Sequence, residues 1–458
     1  MNRDAILATL KTTPTNEPPL TTALRHKAHS IISATDAHAI EQLPTTLLDL
    51  LTQIIKPLFT KTRHPHLTST GRKSLVASPA PSIASRFLDD GSDEPPWKTS
   101  TPFTVPLLEY ILTSYLALPF DPRENSLRKT TIEAHFHLLV PPILNMIDDA
   151  APTPYKSAGC KLLAMLCEVL TSTHSEMLKR SGLADVMVDA LRTNFLSLPT
   201  LTPEADSLAL LREVYAAFLG VVDARFVMLR LRLKSKLGAP SNHTKAQGQG
   251  GTDEDSDDKN IDTDFIPYQA MLTLVYRHGI MASLAHLSSS SNNAGSLSNT
   301  ISVPLTALLL RQIPPVFSRM GIHCVKNLQG LLPMVRVSLM DPFLLAAPEM
   351  VSAILDIVDC VCDVARTRVQ QKWWPEVLRG LVGCWVNCVD ESENESTTIP
   401  AGKTASASTS TSPHLEDTMA RLKKMVKTLG EIVGPNEWSV VKRRLVEEED
   451  DLAALFGD

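Results

Sequence analysis

The 458-residue chain is mildly acidic and aliphatic, with 44 Lys and Arg against 50 Asp and Glu, and aromatic residues at only 5%. Its many leucine, alanine and valine residues favour helix. With a net charge of −6, the chain lacks the excess of basic residues that is typical of a nucleic-acid-binding protein. We therefore predict a largely α-helical chain whose partners are proteins and not nucleic acids.

The cysteines and the hydropathy pattern indicate in which cellular compartment the protein resides. The chain has seven cysteines, an odd number, and its start lacks the charged and apolar regions of a secretory signal, which predicts reduced thiols inside the cell. No apolar run reaches the roughly 18 to 20 residues that cross a bilayer. We expect a soluble protein of the cytoplasm and nucleus, with no membrane partner.

The first hundred residues divide into a helical part and a loop. Residues 1–60 are predicted to be an N-terminal helical segment, in which residues 43–59 carry a broad apolar face and Pro44 suits a first helical turn. Residues 61–100 are rich in Ser, Thr, Pro, Asp and Gly. This composition predicts a partly disordered loop that ends at Trp97.

Residues 101–237 are predicted to form helical repeats. Residues 105–118 and 126–147 have the apolar spacing of helices, and residues 204–237 have the spacing of one long helix. Thr202 suits the N-cap of that long helix, because its hydroxyl can accept a hydrogen bond from a free backbone amide.

Within this region, residues 140–211 contain two apolar helical runs joined by short proline-containing breaks. Pro141 and Pro142 suit the first turn of a helix, where a missing amide costs nothing, and Asp148-Asp149 suits its end. One helical face is indicated by apolar residues at three- and four-residue offsets: Leu162, Leu163, Leu166, Val169 and Leu170.

Three stretches have too few apolar side chains to form a packed core. Residues 238–264 include an acidic run, residues 288–300 are rich in Ser and Asn, and residues 391–413 are rich in Ser and Thr. We predict disordered linkers at 238–264 and 391–413 and a loop at 288–300. Residues 265–390 then form C-terminal helical repeats, and residues 414–458 form terminal helices.

The terminal helices carry a narrow apolar seam suited to packing on another helix. It consists of Leu415, Met419, Leu422, Val426 and Leu429. After an acidic run, Leu452, Leu455 and Phe456 are a further apolar group that can dock.

Helical pairs of this kind stack into α-solenoids, which usually present extended binding surfaces. Pro141 and Asp149 lie eight residues apart, as do Pro333 and Asp341. HEAT-type repeats carry a proline at a helix start and an aspartate near the turn of the pair. We predict an all-α fold, an α-solenoid of HEAT-like helical pairs with disordered linkers. A compact all-α domain followed by a second one is the alternative.

No residue set in the chain suits catalysis or metal binding. Cys384 and Cys388 lie four residues apart and Cys360 and Cys362 two apart, so no CxxC pair supplies the close ligands that zinc requires. These cysteines are predicted to be small buried apolar residues, and His135 likewise lacks a ligand set. Nucleophile elbow, HExxH and P-loop motifs are absent. We predict no enzymatic activity, no metal and no cofactor.

Three of the five tryptophans are candidates for partner binding. Trp373 and Trp374 lie side by side at a predicted helix start, and Trp385 follows on the same helix. Large aromatic side chains at such positions belong either to the packed core or to a docking surface.

Several phrases, taken in order, resemble one protein family. They are Trp97-Lys98, the runs VPPILNMIDDAAPTPYKSAGCKLL, SGLADVMVDAL and LPTLTPEADSLALL, then Gly321 with Val325-Lys326-Asn327-Leu328-Gln329, Asp341-Pro342-Phe343, and RGLVGCWVNCVDE. As a series over residues 97–391, they are similar to the Tel-two-interacting-protein-two (Tti-two) family.

The resemblance implies a non-catalytic HEAT-like scaffold, a small subunit of the TTT co-chaperone complex. Its direct partners would be the Tti-one and Tel-two subunits. Its indirect partners would be the ninety-kilodalton heat-shock chaperone and the phosphatidylinositol-kinase-related kinases, which the complex matures and stabilises. Composition and periodicity equally permit another helical-repeat adaptor, for example in transport or cytoskeletal assembly.

Ser256 is a candidate phosphosite within the acidic run. Its surroundings, Asp255-Ser256-Asp257-Asp258, are similar to the phospho-acidic motif that ties the sister Tel-two family to a chaperone-associated adaptor. Phosphorylation would add about −1.5 to −2 charge and favour a basic pocket. The simpler interpretation is that the run only solvates a linker.

Overall fold

In the computed structural model, the described residues are 2–12, 18–34, 40–59, 73, 96–121, 126–148, 151–238, 254–288, 297, 300–397 and 413–457. Side chains are described for all of these except residues 99, 234–238, 254–262 and 394–397. Within these ranges the regular secondary structure is helical, and the β-bridge between Ser288 and Thr300 belongs to no strand. The predicted all-α class is confirmed, and the chain forms two compact units, Met1–Met271 and Leu272–Asp458.

The first unit is a succession of helices of very different lengths. A π-helical turn, Leu51–Ile55, joins the third helix to the fourth, so that residues 43–59 are one continuous helical run. The helices are α1 (Arg3–Lys11), α2 (Pro19–Ala34), α3 (Leu43–Leu50), α4 (Lys56–Phe59), α5 (Pro96–Thr99), α6 (Thr101–Ala117), α7 (Leu127–Ile147), α8 (Thr153–Ser172), α9 (Met177–Ser181), α10 (Leu183–Asn194), α11 (Glu204–Arg225), α12 (Val227–Gly238) and the first part of α13 (Glu254–Leu274).

Helix α8 lies at the centre of the first unit, where it packs against α6, α7 and α11. The Ser157 hydroxyl donates to the carbonyl of Ala209 at 3.3 Å, and further along both helices a Cβ on Gly220 would lie 3.1 Å from the Cβ of Cys167. Since both contacts advance in the same direction, α8 and α11 run parallel. This arrangement is compatible with stacked helical pairs.

The second unit begins with a π-helical segment, Val275–Met281, and continues with shorter helices and 3₁₀ turns. The turns are Gly321–Cys324, Pro342–Ala346 and Asp450–Leu452, and a second π-helical segment is Val369–Trp373. The helices are α14 (Ala282–Leu287), α15 (Val303–Leu310), α16 (Ile313–Met320), α17 (Val325–Leu339), α18 (Pro348–Val364), α19 (Arg366–Arg368), α20 (Trp374–Thr397), α21 (Pro413–Val433), α22 (Pro435–Glu448) and α23 (Ala453–Phe456).

The predicted seam of α21 packs against α18 and α20. Four of its five apolar side chains are buried, and the fifth, Met419, is half-buried. Beside the seam, Arg421 donates to Asp356 at 2.7 Å and to the Ser352 hydroxyl at 3.0 Å. Polar contacts therefore join α21 to α18 at the rim of the seam.

The predicted role of Pro141 and Pro142 was wrong, because both lie inside α7 and not in its first turn. Helix α7 continues to Ile147, and α17 likewise continues from Pro333 to Leu339, six residues in each case (141 to 147 and 333 to 339). An internal proline removes one helical hydrogen bond, at a cost of about 3 kcal/mol. Burial of the surrounding apolar side chains, Leu139, Val140, Ile143 and Leu144, offsets that cost.

The predicted long helix over residues 204–237 is also two helices. The chain turns at Phe226, whose buried ring packs edge-on against Tyr268 with centroids 5.4 Å apart. Thr202 is not the N-cap: Pro203 occupies that position without a side-chain hydrogen bond. Glu204 and Asp206 in the first turn instead place negative charge at the positive end of the helix dipole.

Helices extend into two of the predicted linkers. The backbone of α13 begins at Glu254, and α20 continues to Thr397. Ser256 therefore lies in the first turn of α13, but its side chain is outside the described part, so its modification stays a prediction. Most of the remaining linker residues, together with most of residues 61–95, lie outside the described ranges.

Two helical glycines should respond oppositely to alanine. A Cβ on Gly159 in α8 would lie 2.8 Å from the Cβ of Met146 and 3.1 Å from the amide nitrogen of Ile147, whereas a Cβ on Gly330 in α17 would meet nothing within 4 Å. We expect Gly159→Ala to destabilise the protein by about 1–3 kcal/mol through overpacking. Gly330→Ala should stabilise it by up to about 1 kcal/mol through helix propensity. Denaturant unfolding measures both, and equal effects would contradict the close packing at Gly159.

Candidate partner-binding site

Trp373 and Trp374 lie where a π-helical segment passes into α20, and both rings are half-buried. The ammonium group of Lys372 lies 4.9 Å from the centroid of the Trp373 ring. Since part of each ring is accessible, a role for these two residues in partner binding stays a prediction.

Trp385 belongs to the core of the second unit and is not on its surface. The residue is 1% exposed, its indole nitrogen donates to the carbonyl of Asp451 at 3.2 Å, and Lys423 lies over its ring at 5.3 Å. The C-terminal residues Leu452 and Leu455 are buried nearby, so the apolar end of the chain docks as predicted. This burial leaves no ring surface for a partner, which removes Trp385 from the candidate site.

Helices α17 and α20 run parallel and very close together. Arg336 forms an ion pair with Glu376 at 3.3 Å near the start of α20. Further along, a Cβ on Gly380 would lie 3.2 Å from Leu339, and a Cβ on Gly383 would lie 2.7 Å from Met340. The two glycines allow this approach because they present no side chain to α17.

An exposed apolar patch forms where this helix pair reaches the Pro342–Ala346 turn. We call Met340, Phe343 and Val386 the Phe343 patch; they are 50%, 78% and 36% exposed, respectively. Met340 lies against Gly383, and the turn that follows packs against α20. Val386 lies on α20 one helical turn beyond Gly383.

The backbone around Phe343 is held in place. The amide of Phe343 donates to the Asp341 carboxylate at 3.0 Å, and the amide of Leu344 donates to the Asp341 carbonyl at 3.1 Å. Leu344 is 1% exposed and anchors the turn. Phe343 is therefore presented to solvent by a fixed turn. Sequence reasoning did not identify it as a site residue, although an aromatic directly after an Asp-Pro turn was an available signal.

The candidate metal ligands do not come together. Among residues with described side chains, no group of three or more His, Cys, Asp and Glu is placed to hold a metal ion. Cys384 and Cys388 are buried free thiols, as predicted, and burial of Cys160 raises its pKa to about 12. A thiol with so high a pKa stays protonated and behaves as a small apolar group.

His135 is a structural histidine at the interface of α6 and α7. Its Nδ1 lies 2.8 Å from the Tyr115 hydroxyl, and the residue is 5% exposed. Burial lowers the pKa of His135 from 6.5 to about 4, and the charge of nearby His137 contributes in the same direction. The ring is therefore neutral in the folded protein at physiological pH.

Comparison with known proteins gives one match. The model of the Tti2 family matches residues 5–346, about three quarters of the chain. No curated protein and no solved structure matches it. In the described helices, none is long and apolar enough to cross a membrane.

Stability should fall as pH drops through the titration range of His135. In the unfolded chain His135 takes up a proton near pH 6.5, whereas in the folded chain it does so only near pH 4. Its contribution to the free energy of unfolding is therefore complete above pH 6.5 and is lost on acidification. The loss should reach about 3 kcal/mol. When the free energy of unfolding is plotted against pH across this range, the slope should be smaller for His135→Gln, which cannot titrate. The same change at exposed His278 is the control; an unchanged slope in His135→Gln would contradict the assignment.

Proposed function

Because the chain belongs to the Tti2 family, we propose that it is a non-catalytic scaffold subunit of the TTT co-chaperone complex. The observation that carries the proposal is the family match over residues 5–346, which includes the central helix α8 and the turn that presents Phe343. Its direct partners are then the Tti-one and Tel-two subunits, in the cytoplasm and nucleus.

The packing of the helices supports a scaffold role. Helices α8 and α11 run parallel in the first unit, as do α17 and α20 in the second. Parallel helices separated by intervening helices are the arrangement of HEAT-like pairs, and stacked pairs present long surfaces to other proteins. Through such surfaces, the subunit helps the complex and the ninety-kilodalton heat-shock chaperone to mature phosphatidylinositol-kinase-related kinases.

Affinity purification tests this function directly. The tagged full-length chain, purified after gentle lysis, should recover the Tti-one and Tel-two homologues in comparable amounts, and the tag alone should recover neither. Recovery of transport or cytoskeletal components in their place would favour a different helical-repeat adaptor.

Leu163→Asp should lower the abundance of the protein and of both partners. Leu163 in α8 is fully buried, and an unpaired carboxylate there should cost about 3–5 kcal/mol, a large part of the stability of a typical domain. Quantitative immunoblotting measures the three proteins. Glu168→Asp, at an exposed position of the same helix, should leave all three unchanged. Loss of partner recovery from a Leu163→Asp protein that remained folded and abundant would show instead that α8 is itself an interface.

A further inference from the structure

We propose that the Phe343 patch is a docking site for one amphipathic helix of a partner protein, which lies along α20 with a basic side chain opposite Asp390. The inference rests on the proposed scaffold function and names a surface through which it would be exerted. Phe343 is exposed on a turn that packs against α20. Aromatic anchors that become buried at the centre of an interface carry much of its binding energy.

The patch is organised before any partner arrives. Asp341 holds the amide of Phe343, and Leu344 anchors the turn in the core. The close contact between Gly383 and Met340 holds the neighbouring helix. Binding therefore costs little ordering of the backbone, which favours this surface over a flexible loop as a recognition site.

The accessible stripe of α20 matches the shape and charge of a second helix. Arg379, Val382, Val386 and Asp390 follow one another at three- and four-residue spacing and are half-buried or exposed. The stripe is apolar in the middle, cationic at one end and anionic at the other. Its charged ends are eleven residues apart (379 to 390), or about 16 Å along the helix.

Charge complementarity specifies the occupant. A helix laid along this stripe would carry apolar residues opposite the Phe343 patch and a lysine or arginine opposite Asp390. An acidic residue about three turns away would face Arg379.

Photo-crosslinking tests the occupant of the patch. The probe is p-benzoylphenylalanine in place of Phe343 in the tagged full-length chain, irradiated in cells, followed by sequencing of the crosslinked peptide. We expect the peptide to be an amphipathic helix of another protein with a basic residue beside its apolar face. Crosslinks only to a second copy of this chain, only within the chain, or to no protein would each overturn the proposal.

Surface variants test the energetic role of the patch. Phe343→Asp and Val386→Asp should each reduce recovery of the crosslinked partner at least tenfold, and Asp390→Lys about threefold, with the melting temperature of the purified chain unchanged. Leu201→Asp places the same charge on a leucine that is 83% exposed in the first unit, and should recover the partner as the wild type does.

The two proposals fail in different ways. If the wild type recovers the Tti-one and Tel-two homologues and Phe343→Asp recovers them equally, the docking site is wrong and the scaffold function stands. If the wild type recovers neither homologue but the probe at position 343 crosslinks to a basic amphipathic helix of another protein, the docking site stands and the TTT assignment fails.

Discussion

Close approach of parallel helices at small residues is the constraint on which both units depend. In the first unit, Gly220 of α11 faces Cys167 and Ala164 of α8, and in the second, Gly380 and Gly383 of α20 face the end of α17. Without a side chain at these positions, ridges on one helix enter the groove of the other. The close contact fixes which residues of each helix are level, and the remaining surfaces follow from that register.

The register of α17 and α20 produces the surface proposed for partner binding. Gly383 accommodates Met340, the residue directly after the end of α17. The chain must then turn, and Asp341 stabilises the turn while Leu344 enters the core. Phe343, between these two anchors, faces solvent. The same packing that stabilises the unit therefore presents an apolar side chain outside it.

The C-terminal residues show the opposite outcome for an aromatic side chain. Trp385 lies on the same helix as Val386, but its indole faces α21 and the end of the chain, where Asp451 accepts its hydrogen bond. Leu452 and Leu455 complete the cover. Adjacent positions on one helix thus have different functions because a helix turns by about 100° at each residue.

The sequence by itself determined the helical class, the continuous run over residues 43–59, the end of α7 before Asp148, most of the α21 seam and the family. These features depend on the local spacing of residues, on composition or on sequence motifs, and all three can be read from one amino-acid sequence. Only the tertiary structure decided that Pro141 and Pro142 lie inside α7, that the chain turns at Phe226, that Trp385 is buried and that Phe343 is exposed. Each depends on contacts between residues distant in sequence. Burial of apolar side chains outweighs the hydrogen bonds lost at the prolines, the ring of Phe226 packs against Tyr268, and α17 and α20 come into contact at Gly383. Intrinsic propensity is worth less than about 1 kcal/mol at most positions, so such contacts overrule it.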